Sequence, residues 1–125
     1  MRKICFNTIT NYHLDMESVL KLYHNFGVSH VTLWREKIDP IGISNTKRLL
    51  GNYGITVNGI CGWFNRPKSS ITFQEKRESI EIAAELSAPT VTILVPGMDG
   101  FKGSLEDCRK ASLEELESLL DTARK

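Results

Sequence analysis

Along the chain, short apolar runs with strand-like alternation give way at regular intervals to stretches whose apolar residues recur every three or four positions. The first run, Ile4 to Thr8, is β-prone. Asp15 then precedes Met16, Val19, Leu20, Leu22, Tyr23 and Phe26, spaced as one helix face, and Gly27 offers a C-terminal stop. His30 to Trp34 alternates, with Val31 and Leu33 on one face and Thr32 and Trp34 on the other, which predicts a strand. Ser44 or Asn45 is the expected cap of a shorter helix carrying Leu49, Leu50 and Tyr53 and ending at Gly54, after which Ile55 to Cys61 reads as a third strand. Thr72 and Glu75 are spaced as a capping box for a helix through Ile80, Ala83, Ala84 and Leu86 toward Pro89. Thr90 to Val95 is the fourth strand, broken by Pro96 and Gly97, and either Ser104 with Asp107 or Ser112 with Glu115 caps a last helix bearing Leu116, Leu119, Leu120 and Ala123.

Four strands alternating with four helices over short turns predict a parallel α/β sheet with right-handed crossovers, in a single domain over residues 1–125. Composition narrows the function. Sixteen basic and fifteen acidic residues leave a net charge of +1 and no basic stripe, which speaks against a nucleic-acid partner. Cys5, Cys61 and Cys108 are odd in number and form no close pair, so neither a disulfide framework nor a structural zinc site is expected, and a reducing compartment fits. The apolar run behind Met1 turns polar at Asn7, too soon for a signal peptide, and no run approaches the roughly 18 apolar residues that cross a bilayer. A cytoplasmic protein without a membrane partner is the expectation.

The successive phrases FNTIT, GVSHVTLWRE, YGITVNGICGWFNRP, ESIEIAAELSAPTVTILVPG and SLEDCRKASLEELESLLDTARK, in that order and spacing, resemble the sugar phosphate isomerase/epimerase family, the xylose-isomerase-like TIM barrels. The resemblance implies four βα units, half of a (β/α)8 barrel, ending where a fifth strand would begin. Family members typically hold a divalent metal (Mn, Mg, Co or Zn) on two Glu, an Asp and a His from the second half, the two Glu also moving the substrate proton. The resemblance therefore implies no catalytic residue and no metal ligand here, and this chain alone is expected to be inactive. What carries over is the first-half wall of a sugar or sugar phosphate pocket. Its implied substrate-binding residues are Asn7 after the first strand, Trp34 and Glu36 after the second, Cys61, Trp63 and Phe64 after the third, and Pro96 and Gly97 after the fourth.

Each candidate has a plainer reading. Trp34 and Trp63 lie at strand C-terminal ends, where such barrels place their sites, but either could be rim packing; Gly59 and Gly62 beside Trp63 favour it as the pocket residue. Glu36, Asp39 and Asp99 reach the same face, yet acid–base work needs a partner, so each is more simply a solvated loop charge. His24 and His30 lie away from that rim, and His13 alone does not make a metal site. The glycine-rich VPGMDGFKG departs from phosphate-loop spacing and reads as a lid. Half a barrel leaves two open strand edges, so a homodimer or a complementing half-barrel is the expected partner. A noncatalytic, self-associating half-barrel is the alternative function, and an abasic-site endonuclease fragment a further one, which the neutral charge balance opposes.

Overall fold

The computed structural model describes residues 4–67, 70–94 and 102–124. β1 (Cys5–Asn7) runs into a single 3-10 turn (Thr8–Asn11) and then α1 (Met16–Asn25), which Asp15 caps by accepting from the Ser18 amide at 2.8 Å. Gly27, at φ 70°, ends the helix in the left-handed conformation while Val28 N–H returns to the Tyr23 carbonyl at 2.9 Å. β2 (His30–Trp34) leads directly into a four-residue helix, α2 (Arg35–Ile38), for which the sequence carries no cap signal. α3 (Gly42–Tyr53) ends at Gly54, β3 spans Thr56–Cys61, and α4 (Phe73–Glu85) begins with the Thr72/Glu75 capping box. β4 is Val91–Thr92, and α5 (Leu105–Ala123) starts at a Ser104/Asp107 capping box, the first of the two alternatives.

Two expectations are corrected: the fourth strand, read as Thr90 to Val95, covers Val91–Thr92, with Thr90, Ile93 and Leu94 outside it and Val95 beyond the described residues, and the cap of α3 differs. Ser44 and Asn45 do not cap α3; the helix starts one turn earlier, at Gly42 behind Ile41, without a side-chain cap. Asn45 instead donates from Nδ2 to the Ile41 carbonyl at 2.9 Å, satisfying the helix from inside rather than opening it.

All four strands are parallel, in the order β1-β2-β3-β4. Val31, Leu33, Val57 and Ile60 form one face, and they share a single buried cluster with Val19 and Leu20 of α1, Ile38 of α2, Leu49 and Leu50 of α3, and Ile82 and Ala83 of α4. That is one layer of helices on one side of the sheet, the packing that a barrel wall requires. Val57 and Ile60 share this face although three positions separate them, because the register slips between Val31 and Thr32 and leaves Asn58 as an extra residue. The Thr90 hydroxyl donates to the Asn58 carbonyl at 2.8 Å, so the bulge is held from β4.

Two buried ammonium groups are each held by oxygen acceptors. Lys76, only 3% exposed, donates to both oxygens of Glu115 at 2.7 Å and ties α4 to α5. Lys37 caps the carbonyls of Asn11, Tyr12 and Leu14, holding the loop before α1. Its pKa is lowered by burial, with Asp15 and Glu36 opposing the shift.

Candidate functional site

Parallel strands bring their C-terminal ends to one rim, and the strand register determines which residues share the face opposite the helices. Asn7, Thr32 and Gly59 are cross-strand partners in one row, and Trp34, Cys61 and Thr92 in the next. Gly59 lets β4 approach closely: a Cβ there would lie 2.6 Å from the Thr90 hydroxyl.

The Asn7 side chain organises this face. Its Oδ1 accepts from the Ile9 amide at 3.1 Å, capping the 3-10 turn, and also from the Trp34 indole Nε1. The Trp34 amide donates to the Thr8 hydroxyl at 3.2 Å, and that hydroxyl donates to the Thr32 carbonyl at 3.2 Å, so the ends of β1 and β2 are stitched by side chains. Burial pushes the Cys61 thiol pKa up, with hydrogen bonds to the side chains of Thr92 and Asn7 opposing it. Desolvation thus disfavours the thiolate at this position.

Glu36 and Phe64 extend the same rim. Glu36 Oε1 accepts from the Phe64 and Asn65 amides at 2.6 and 2.8 Å, which locks the carboxylate onto the loop after β3, while its Oε2 is buried without a hydrogen-bond partner among the described residues. Phe64 stands edge-on to Trp34, ring centroids 5.9 Å apart, and is half exposed. Asn7, Trp34, Cys61, Glu36 and Phe64 are therefore linked through direct contacts.

Trp63 stands apart from them. It is 5% exposed and lies between two guanidinium groups, Arg35 at 4.4 Å and Arg66 at 4.7 Å from its ring centroid, and its Nε1 donates to Asp39 Oδ2 at 2.9 Å. Arg35 also donates to Asp39 at 2.7 Å and to Ser79 at 3.0 Å, and Arg66 is bidentate on Glu75 at 2.7 and 3.2 Å. These Trp63 partners come from the α2 segment and the loop after β3, and the two arginines in turn reach Ser79 and Glu75 of α4, so the ring helps bolt the rim to the helix layer, and the aromatic beside Trp34 is Phe64. Asp39 serves the same bolt. Pro96, Gly97 and Asp99 lie outside the described residues, as does most of the VPGMDGFKG phrase. His24 Nδ1 meets the Tyr53 carbonyl at 2.9 Å, joining α1 to α3, and His30 Nδ1 meets Ser29 Oγ at 2.9 Å.

Sequence reasoning missed two parts of this site. Thr92 faces Cys61 only through the strand register, which a two-residue strand does not advertise; the signal was its place two positions after Thr90. The Arg35–Trp63–Arg66 stack joins α2 to the loop after β3, and periodicity carries no trace of it.

No protein-family model matches the sequence, and none of the curated proteins does. Solved structures do. A protein of Sinorhizobium meliloti 1021 aligns with TM-score 0.77 and 23% identity over 98% of this chain. A sugar phosphate isomerase/epimerase from Parabacteroides distasonis aligns with TM-score 0.67 and 14% identity, also over 98%. A xylose isomerase domain protein from Alicyclobacillus acidocaldarius gives TM-score 0.59 and 17% identity over 97%. The alignments take up 47%, 48% and 44% of those chains, so this chain spans about half their length. The fold is half of a TIM barrel. Within the half-barrel, the face bearing Asn7, Trp34 and Cys61 is the barrel interior and the rim bearing Glu36 and Phe64 is its C-terminal mouth.

The metal of the resembling family finds no fit among the described residues. No group of three or more His, Cys, Asp or Glu side chains converges there. Of the carboxylates near the rim, Asp39 is spent on Arg35 and Trp63, and one oxygen of Glu36 on two amides. Three or four convergent donors are needed, so no chemical step through a metal follows from these residues.

Proposed function

We propose that this half-barrel supplies one wall of a sugar pocket in an isomerase- or epimerase-like barrel, and that its part is to bind and orient rather than to transfer the proton. The observation that carries the reading is the contact chain at the strand ends: Asn7, Trp34 and Cys61 joined on the inner face, with Glu36 on the same rim and its Oε2 buried without a hydrogen-bond partner among the described residues. A polyol suits such a surface. Its C–H face stacks on the Trp34 and Phe64 rings, and a hydroxyl donates to the waiting carboxylate oxygen, which otherwise carries a desolvation cost. The loop amides fix the carboxylate in place, so the acceptor is preorganised and loses little freedom on binding. Pro96 and Gly97, after β4, would complete this wall. Sugar and sugar phosphate remain alike in this reading, because the part in contact with Trp34 and Glu36 is the polyol. The name of one structural neighbour, a sugar phosphate isomerase/epimerase, agrees with that substrate class.

The reading is tested by titrating the intact chain with fructose and with fructose 6-phosphate while following tryptophan fluorescence. Saturable quenching is expected, weakened about tenfold or more in Glu36→Gln and in Trp34→Leu, the loss of one charge-assisted hydrogen bond or one stacking face. Phe73→Leu, on the outside of α4, should leave it unchanged. Absence of saturation with both sugars, or binding indifferent to Glu36 and Trp34, refutes the pocket.

A further inference from the structure

We propose that Asp39 and Trp63 are positioning residues of the sugar wall: neither touches the sugar, and together they set the Phe64 ring against Trp34. What this does for binding rests on the sugar reading, whereas the placement of the ring does not. Trp63 and Phe64 are consecutive, yet Trp63 is 5% exposed and Phe64 52%. One enters the helix layer while the other stands at the mouth, edge-on to Trp34. Side chains leaving adjacent positions in opposite directions share one backbone, so whatever fixes the first directs the second. Half exposed, Phe64 gains too little from its own burial to hold that backbone by itself.

α2 does the fixing. The Arg35 amide donates to the Gly62 carbonyl at 3.2 Å, Asp39 Oδ2 accepts from the Trp63 indole, and Glu36 Oε1 accepts from the Phe64 and Asn65 amides. Residues of α2 and its C-cap thus grip successive residues of the loop after β3, from Gly62 to Asn65. α2 is itself tied down: Ile38 sits in the core cluster, Lys37 holds the carbonyls before α1, and Arg35 donates to Ser79 of α4. A short helix fastened in this way is a rigid template for the loop.

Asp39 is the part of the template that fixes the indole. Its carboxylate is divided, Oδ1 accepting from Arg35 Nε and Oδ2 from Trp63 Nε1, so it holds both the ring and one of the two guanidinium groups stacked on that ring. Stacking resists displacement across the ring face but leaves the ring free to slide and turn in its own plane, and the bond from Nε1 removes that freedom. Through the shared backbone, the place of Phe64 follows. A Phe64 ring already edge-on to Trp34 offers the polyol a formed aromatic corner. A loosened ring has to be ordered on binding, at a cost of roughly two- to tenfold in affinity.

Proton–nitrogen correlation spectra of the full chain test the placement, and fructose titration followed by tryptophan fluorescence tests its consequence. The two tryptophans give two indole signals, and Trp34→Leu identifies the one from Trp34. Phe64→Ala deletes the neighbouring ring and marks where the Trp34 signal goes without it. Asp39→Ala is expected to move the Trp34 signal toward that mark and to weaken fructose binding roughly two- to tenfold. Trp63→Phe keeps a ring beside the guanidinium groups, deletes the donor and leaves Arg35 paired, and it should weaken binding likewise with unchanged far-UV circular dichroism. In the Phe64→Ala chain, where no ring remains to be placed, Asp39→Ala should cost no further affinity; a residue that only supported the fold would cost as much in either background. A Trp34 signal unmoved by Asp39→Ala, or losses from Asp39→Ala and Phe64→Ala that add in full, overturns the proposal. A wild-type chain indifferent to fructose refutes the pocket, and a Trp34 signal moved by Asp39→Ala then upholds the placement alone.

Discussion

The two faces of the sheet obey different rules. On the helix-facing side, Val31, Leu33 and Ile60 are wholly buried, and what matters is volume: they fill the space beneath α1, α3 and α4. On the inner side, one residue further along each strand, Asn7, Thr32, Trp34, Cys61 and Thr92 carry polar atoms, and what matters is which atom meets which. The first face makes the fold and tolerates any good packing, whereas the second has little to pack against and is held by hydrogen bonds between strand ends. A one-residue step along β2 therefore crosses from packing by volume to matching of hydrogen-bonding atoms.

Adjacent substitutions on β2 test that contrast most severely. Leu33→Ala removes a wholly buried side chain from the centre of the cluster and should cost about 2–5 kcal/mol in urea denaturation. Thr32→Val, on the other face, gives up only the hydroxyl contact with Cys5 Sγ at 3.4 Å and should cost less than ~1 kcal/mol. Equal costs would abolish the distinction between the faces.

Charge inside the helix layer sharpens the same point. Glu115→Gln leaves the Lys76 ammonium nearly enclosed without its counter-charge, and should cost on the order of 2–3 kcal/mol. Lys76→Met removes the enclosed charge and keeps most of the volume, while Glu115 retains access to water. It should cost less than ~1 kcal/mol. Chemical denaturation of the two variants checks the ordering, and the reverse order would mean that the ammonium is hydrated.

The contrast between faces also governs what was legible in the sequence. The helix-facing side was readable because burial imposes a period: Val31 with Leu33, and Met16, Val19, Leu20 and Tyr23, announce their elements, and Asp15, Thr72 and Ser104 mark helix starts by local chemistry. α2 was not readable, since its four residues are held by distant anchors such as the Arg35 bond to Ser79. Of the site, Asn7, Trp34 and Cys61 were nameable from their place at strand ends, but their mutual contacts depend on a register that a bulge at Asn58 shifts. Trp63 and Phe64 are neighbours in sequence, and contacts distant in sequence, the two arginines and Asp39 among them, draw Trp63 into the helix layer. Gly59 is the inner-face position where this register can be probed. Gly59→Ala would press a methyl against the Thr90 hydroxyl that braces the bulge, at an expected cost of about 1–2 kcal/mol. Thr90→Ser, which keeps the hydroxyl, should not relieve that clash, whereas Thr90→Ala should recover part of the loss, and thermal melts of the double variants separate the two.

The smallest expected effect lies where the faces meet, in the bolt that carries Trp63. Glu75 accepts both guanidinium hydrogen bonds of Arg66 and closes the Thr72 capping box, and the Arg66 contact is the main reason its pKa falls from 4.5 to about 2. A carboxyl whose folded pKa is depressed contributes stability that is fully present above its unfolded value. That contribution is lost as pH falls from about 4.5 through about 2. The Glu75 side chain is partly open to solvent, so screening reduces the contribution to on the order of 1 kcal/mol. Asp15 and Asp107 are also held below the ordinary carboxylate range by helix-cap hydrogen bonds, and they add their own acid sensitivity. The Glu75 share is isolated by comparing wild type with Glu75→Gln: their difference in unfolding free energy should be largest at neutral pH and shrink by on the order of 1 kcal/mol toward pH about 3. A difference that is constant from neutral pH into acid would mean that the Arg66–Glu75 pair contributes packing and cap geometry but no charge, and the charge-dependent hold on α4 would then rest with Arg35.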